Sequence, residues 1–173
     1  MNTSYILHEL GIYGPQLMFV LSLPFLWTKR LLLNYTLVGI CVSVILNTIL
    51  KFVFHCPRPG NDNVNFQSIV NQTTFQQSVE DDPYGFPSGH SQTAVFLATI
   101  MYRAFGLKPI TIVMVIYTVF IMAQRVLSEK HYVYQVIGGA ITGFVVATGV
   151  YYSYKHRLMG CLKNKLDDWS RIF

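Results

Sequence analysis

The chain has 173 residues, enough for one domain. Hydrophobic residues make up 52% of it and charged residues only 12%, about half the ~25% charged fraction that is usual in soluble domains. This composition argues against an ordinary soluble domain and favours an integral membrane protein.

Five apolar segments approach the length that a helix needs to cross a bilayer. In chain order they cover residues 7–27, 31–54, 88–105, 109–124 and 132–154. Pro15 and Pro24 interrupt the first segment, whereas the second is the clearest. The sequence therefore predicts an all-α fold, a polytopic bundle of about five transmembrane helices.

Two polar stretches complete the predicted organisation. Residues 55–86 are rich in Asn, Gln, Asp and Thr, and we expect them to form a lid or rim and not a separate domain. Residues 155–173 form a basic tail. The whole chain, 1–173, is thus predicted to be one integral-membrane domain with its core at about 31–155.

Basic residues predict the orientation of the bundle. Nine of the 13 lysines and arginines fall on one side of it: Lys29, Arg30, Arg103, Lys108, Lys155, Arg157, Lys163, Lys165 and Arg171. Positive residues favour the cytoplasm, so the N-terminus and the 55–86 stretch are expected to face outward or into a lumen. The net charge of +5 is mostly this orientation signal. No basic face with interleaved aromatic residues indicates a nucleic-acid partner.

Three cations and two histidines map to the outward ends of the predicted helices: Lys51, Arg58, Arg125, His90 and His131. Taken singly, each has an ordinary explanation, such as a snorkelling lysine, a charged turn or a structural histidine. Taken together, the three cations would repel one another unless a polyanion binds between them. The histidines could supply the nucleophile and the general acid that phosphate-ester hydrolysis needs.

"PSGH" at residues 87–90 fits one wall of such a phosphate site. Ser88 and Gly89 begin a predicted helix, whose free N–H groups and dipole favour an anion. Gly89 has no side chain and so allows the backbone to approach a ligand closely.

Three motifs resemble the signatures of the type-2 phosphatidic acid phosphatase superfamily. They are "KFVFHCPRP", in which Lys51 precedes Arg58, then "PSGH", and "RVLSEKH", in which Arg125 precedes His131. Each motif alone is weak, but all three occur in order and on one predicted membrane face. The motifs cover about residues 51–135. The sequences "YGFPSGHSQ" and "HYVYQVIGGAITG" look most like those of the polyprenyl (dolichyl) diphosphate branch.

The resemblance implies a role for each matched position. His131 would attack phosphorus and form a phosphohistidine, and His90 would protonate the leaving oxygen and later activate water. The remaining matched residues would hold the phosphoryl oxygens: Lys51, Arg58, Ser88, Gly89 and Arg125. No metal and no cofactor is implied.

Position 135 departs from the usual family pattern, in which Asp follows the nucleophilic histidine by four residues. Gln135 occupies it here, and the dolichyl-diphosphate phosphatases and glucose-6-phosphatases are similar in carrying a glutamine at that position. At i, i+4 on a helix it shares a face with His131. We expect its carbonyl oxygen to face His131, with a neighbouring acceptor holding its amide nitrogen.

The predicted function is hydrolysis of a lipid phosphate or polyprenyl diphosphate at the outer or lumenal membrane surface. That surface would belong to the endoplasmic reticulum in a eukaryote and to the cytoplasmic membrane in a bacterium. A sugar-phosphate phosphatase, a weakly active lipid-phosphate-binding relative and a vanadate-dependent oxidase are the alternatives. The apolar segments argue against the oxidase, because the vanadate enzymes that resemble these motifs are soluble. No pattern in the sequence indicates an oligomeric state.

Overall fold

The computed structural model describes residues 3–59 and 84–170. Residues 60–83, most of the predicted lid, lie outside the described residues. The described part forms six α-helices: α1 (Thr3–Ile12), α2 (Gly14–Trp27), α3 (Arg30–Phe54), α4 (Gly89–Phe105), α5 (Pro109–Leu127) and α6 (Val133–Ser170). The prediction of an all-α membrane bundle is confirmed.

The first apolar segment divides into two helices, α1 and α2. Proline lacks an N–H and is tolerated in the first turn of a helix, and Pro15 lies in the first turn of α2. Pro24, by contrast, lies inside α2 without ending it. The expected single interrupted helix is therefore corrected to two helices that meet at Tyr13.

The last helix extends well beyond the predicted apolar segment. It has 38 residues, or about 57 Å at 1.5 Å per residue, and so exceeds the ~30 Å hydrocarbon core. The predicted basic tail thus continues this helix up to Ser170.

Helix α4 occupies the centre of the bundle. Nine of its 17 residues are buried, among them Phe96, Leu97 and Ile100. Apolar side chains of α3, such as Val38 and Phe52, are instead about 60% exposed, as expected for a surface that faces lipid. Among the described residues, three helical stretches are long and apolar enough to cross a membrane: Arg30–Phe54, Pro109–Leu127 and Val133–Leu162.

One end of the bundle gathers the start of α4 and α6 and the end of α3 and α5. Pro57 and Tyr84 form an isolated β-bridge there, and Gly85 N–H donates to Cys56 O at 2.8 Å. These contacts hold together the two ends of the stretch that connects α3 with α4.

Candidate active site

His131 lies in the short connection between α5 and α6. Its N–H and that of Lys130 both donate to Arg125 O, at 3.2 and 3.1 Å. This loop closure fixes the imidazole beside the last turn of α5, where the side chain of Arg125 is also buried.

The side chain of Gln135 orients the imidazole. Its Oε1 lies 3.2 Å from His131 Nδ1 and also accepts from Tyr132 N–H at 3.1 Å. Its Nε2 donates to Pro57 O at 2.8 Å. The expected orientation of the amide is confirmed, and the acceptor that holds it is a backbone carbonyl.

This arrangement selects one tautomer of His131. Because Gln135 presents an oxygen to Nδ1, the ring proton of neutral His131 belongs on Nδ1. Nε2 then keeps its lone pair. A neutral imidazole with a free Nε2 can attack an electrophilic phosphorus.

Burial and three cations keep His131 neutral. Burial lowers its pKa most, Arg58 lowers it next, and Arg125 and Lys51 lower it further, whereas the hydrogen bond with Gln135 raises it. The result is a pKa of about 3, well below 6.5. The same three cations act electrostatically on His90. The two histidines and the three cations thus form one cluster.

The side chain of Arg125 is buried with incomplete hydrogen bonding. The residue is only 7% exposed, and its Nε has no hydrogen-bond partner within the described ranges. Within the described part of the chain, its side chain makes one long hydrogen bond, 3.5 Å from Nη1 to Gln124 Oε1. Burying a guanidinium without an anion is costly. The site is therefore suited to bind an anion such as phosphate.

The start of α4 forms another wall of the site. Ser88 precedes the helix, but its side chain makes no capping hydrogen bond to the backbone. Its Oγ accepts from Ser91 Oγ at 3.1 Å, which leaves the Ser88 hydroxyl proton for another acceptor. Ser88 N–H donates to Gln135 O at 3.0 Å, so α4 and α6 are joined at the site.

His90 is held by a group that the sequence analysis did not identify. Its Nε2 lies 3.0 Å from Ile12 O, at the end of α1. A carbonyl can only accept, so Nε2 carries a proton and Nδ1 is the atom available for proton transfer. The carbonyl end of a helix also favours a cation.

The sequence analysis also did not identify Asn47, whose side chain forms hydrogen bonds beside the site. Its Nδ2 donates to Pro87 O at 3.1 Å and to Gln92 Oε1 at 2.8 Å, and Gln92 Nε2 donates in turn to Ser43. These bonds tie α3 to the start of α4. The available signal was an asparagine within an apolar helix, four residues before Lys51, because polar residues at membrane depth are costly and often functional.

All eight residues singled out in the sequence thus lie at this end of the bundle: Lys51, Arg58, Ser88, Gly89, His90, Arg125, His131 and Gln135. Among the described residues, no group of three or more His, Cys, Asp or Glu side chains is placed to hold a metal ion.

Comparison with known proteins gives two matches. The family model described as "PAP2 superfamily" matches residues 32–159, and this range includes all eight residues singled out in the sequence. The fold is similar to the crystal structure of a transmembrane PAP2 type phosphatidylglycerolphosphate phosphatase from Bacillus subtilis. The TM-score is 0.58 at 20% identity, over 87% of this chain and 74% of that chain. No curated protein sequence matches.

Proposed function

This chain belongs to the PAP2 superfamily, and we propose that it is a membrane phosphatase that hydrolyses a lipid phosphate through a phosphohistidine. The observation that supports the proposal is the environment of the His131 imidazole, namely its hydrogen-bond partner and the positive charges that act on it. Its Nδ1 lies against Gln135 Oε1, and the charges of three cations act on the ring. A nucleophile in a cationic site suits an anionic phosphate ester.

The proposed reaction has two steps. His131 Nε2 attacks phosphorus and the bond from phosphorus to the leaving oxygen breaks. His90, which enters this step as imidazolium with its second proton on Nδ1, gives that proton to the leaving oxygen. Water then attacks the phosphohistidine and loses a proton to His90, which releases inorganic phosphate and restores neutral His131. Lys51, Arg58 and Arg125 offset the charge on the phosphoryl oxygens in both steps. The proposed reaction uses no metal ion.

The membrane setting supports a lipid substrate over a soluble sugar phosphate. The site lies at the end of a bundle whose described part has three helical stretches suited to cross a membrane. The phosphate of an amphiphile in the headgroup plane could therefore reach it. A lipid phosphate monoester and a polyprenyl diphosphate both meet this description. We further propose that the site faces the outer or lumenal surface, as the distribution of basic residues predicts.

Phosphate release from detergent-solubilised protein tests the proposal. We expect the parent to release phosphate from a panel of lipid phosphates in excess chelator, and His131→Ala to release none, since the nucleophile is gone. His156→Ala is the matched control because His156 is exposed on α6, far along the helix from the site. A fully active His131→Ala variant would contradict the mechanism. Tight lipid binding without turnover would favour the weakly active relative instead.

A further inference from the structure

The break between α1 and α2 makes a backbone carbonyl available to His90. Pro15 has no N–H, so the helical hydrogen bonds of α1 cannot continue through it. Tyr13 N–H donates to Glu9 O at 2.9 Å, whereas Ile12 O lies 3.0 Å from His90 Nε2. The end of α1 thus contacts the residue to which the proposed mechanism gives the proton transfers.

Side chains of α5 fix the end of α1 in place. Tyr117 Oη donates to Leu10 O at 2.8 Å. Gly11 lies so close to Gln124 that a Cβ there would collide with the Gln124 side chain. Because Tyr117 and Gln124 are seven residues apart, they lie on one face of α5. Ile12 follows directly after these two contacts.

The start of α2 packs against the same face of α5. A Cβ on Gly14 would lie only 2.6 Å from the Ile121 side chain. Helix α5 also carries Arg125 into the site. It therefore positions a cation of the site directly and contacts both sides of the break that presents Ile12 O. A shift of α1 relative to α5 would move this carbonyl away from His90.

The hydrogen bond with Ile12 O determines how the imidazole of His90 can act. The last side-chain torsion of a histidine has broad minima, and either nitrogen of a neutral ring can carry the proton. A fixed acceptor at Nε2 removes both freedoms. In the imidazolium that begins the proposed reaction, the Nε2 proton stays on the ring and points at Ile12 O, while the Nδ1 proton passes to the leaving oxygen.

We propose that α1 orients the imidazole of His90 for proton transfer, and that Tyr117 is a positioning residue that acts through Leu10 and Ile12. The inference rests on the proposed function. Proton transfer to the leaving oxygen matters most when that oxygen is basic. Loss of the orientation should therefore slow substrates with a basic leaving group selectively, whereas a general loss of structure should slow all substrates alike.

A matched pair of amphiphilic aryl phosphates tests the proposal. Dodecylphenyl phosphate has a basic leaving oxygen, and its ring-nitrated derivative has a much less basic one. Their kcat/KM values report the phosphorylation of His131, the step in which His90 acts as an acid. We expect Tyr117→Phe to lower kcat/KM for dodecylphenyl phosphate by about 3- to 10-fold, the effect of one net hydrogen bond, and to change that for the nitrated substrate little. Gly14→Ala, which would push α2 away from Ile121, should act in the same direction.

Two controls separate orientation of His90 from other effects. In the His90→Ala background, Tyr117→Phe should leave the ratio of the two kcat/KM values unchanged, because no proton transfer from His90 remains. Tyr35→Phe, which should keep the parent ratio, is the matched control for loss of a tyrosine hydroxyl. Tyr35 is half-buried near the start of α3, at the other end of this helix from Lys51, and its ring contacts Tyr154. Equal losses for both substrates in Tyr117→Phe, or a further change of the ratio in the double variant, would overturn the proposal.

An NMR measurement separates this inference from the proposed function. In detergent-solubilised protein with isotope-labelled histidine, the Nε2 proton of neutral His90 should exchange slowly with water in the parent and faster in Tyr117→Phe. If the parent hydrolyses no lipid or aryl phosphate but this difference appears, the phosphatase proposal fails and the positioning of His90 by Tyr117 stands. If phosphate is released but the exchange rate is the same in both proteins, the positioning role of Tyr117 fails.

Discussion

Gln135 joins three other parts of the chain through its side chain and its backbone. Its carbonyl oxygen faces His131, its amide nitrogen donates to Pro57, and its backbone oxygen accepts from Ser88. Gly85 lies against the amide so closely that a Cβ there would collide with it. We expect an amide to serve here in place of the usual carboxylate, because this packing prevents it from flipping.

Gln135→Leu should lose most activity, since nothing would then hold the His131 proton on Nδ1. In a serine-protease triad, loss of the correct tautomer costs about 10⁴ in rate. Gln135→Glu should keep activity or raise it, because a carboxylate oxygen also accepts from Nδ1. It should nevertheless lower Tm, since the donor to Pro57 O is lost. Phosphate release and thermal unfolding measure the two effects, and a Leu variant as active as the parent would contradict this role.

The three cations should affect the pKa of His131 unequally. Arg58 lowers it more than Arg125 or Lys51 does, because each positive charge disfavours the imidazolium form. Arg58→Gln should therefore raise the pKa from about 3 toward 6.5 by more than Lys51→Gln, the matched control. An NMR titration of the imidazole measures both values. Equal shifts in the two variants would contradict this ranking of the cations.

Bound anion should act on the same pKa. Inorganic phosphate or vanadate among the cations adds a negative neighbour, which favours the imidazolium form. The pKa of His131 in the parent should thus rise when either anion is added during the titration, and an unchanged value at saturating anion would place the binding site elsewhere.

The helices α4 and α6 approach closely because α6 presents small residues to α4. A Cβ on Gly139 would meet Ser88 O, and one on Gly143 would meet Gln92 O, both of which are backbone atoms. Ala147, four residues further on, is fully buried. Such small residues at four-residue spacing are typical of close helix pairs in membranes. This contact also sets the distance between Ser88 and Gln135 in the site.

Gly143→Ala should lower stability by about 1–3 kcal/mol, the usual cost of overpacking, and should reduce turnover because α6 carries Gln135. Gly149→Ala is the matched control on the same helix, since nothing lies within 4 Å of a Cβ at that position. The control should be neutral or slightly stabilising. Thermal unfolding in detergent compares them, and equal Tm values for the two variants would contradict close packing at Gly143.

At the scale of the whole molecule, the candidate site lies at the start of α6, whereas the basic extension lies toward the other end of the same helix. His131 precedes α6, whereas Lys155 and Arg157 lie more than 20 residues into it. About 20 helical residues span a bilayer. We therefore expect the two regions to face opposite sides of the membrane, with the basic region in the cytoplasm.

Cysteine labelling in intact cells tests this orientation. A membrane-impermeant reagent should modify Cys56, which is half-exposed near the site, and should leave the exposed Cys161 unmodified. Cys41 lies within α3 and faces outward, so it reports whether the reagent enters the bilayer. Labelling of Cys161 but not of Cys56 from outside would reverse the proposed orientation.

The sequence by itself determined the fold class, four of the predicted segments and the family. Apolar runs of spanning length leave few other folds, because each backbone polar group in a bilayer must be bonded within a helix or a closed barrel. The three motifs also identified, by their spacing, side chains that the fold collects at one end. Such local patterns are readable because helix periodicity and motif spacing act within short stretches of chain.

Only the tertiary structure decided which groups hold the site in place. Ile12 O beside His90 and Pro57 O beside Gln135 are backbone atoms that lie 78 residues from their partners, and any residue type supplies such a carbonyl. The break between α1 and α2 also involves a distant segment. Gly11 lies against Gln124 and Gly14 lies against Ile121, and both of these side chains belong to α5. These contacts depend on how distant segments pack, and for that reason no local pattern in the sequence specifies them.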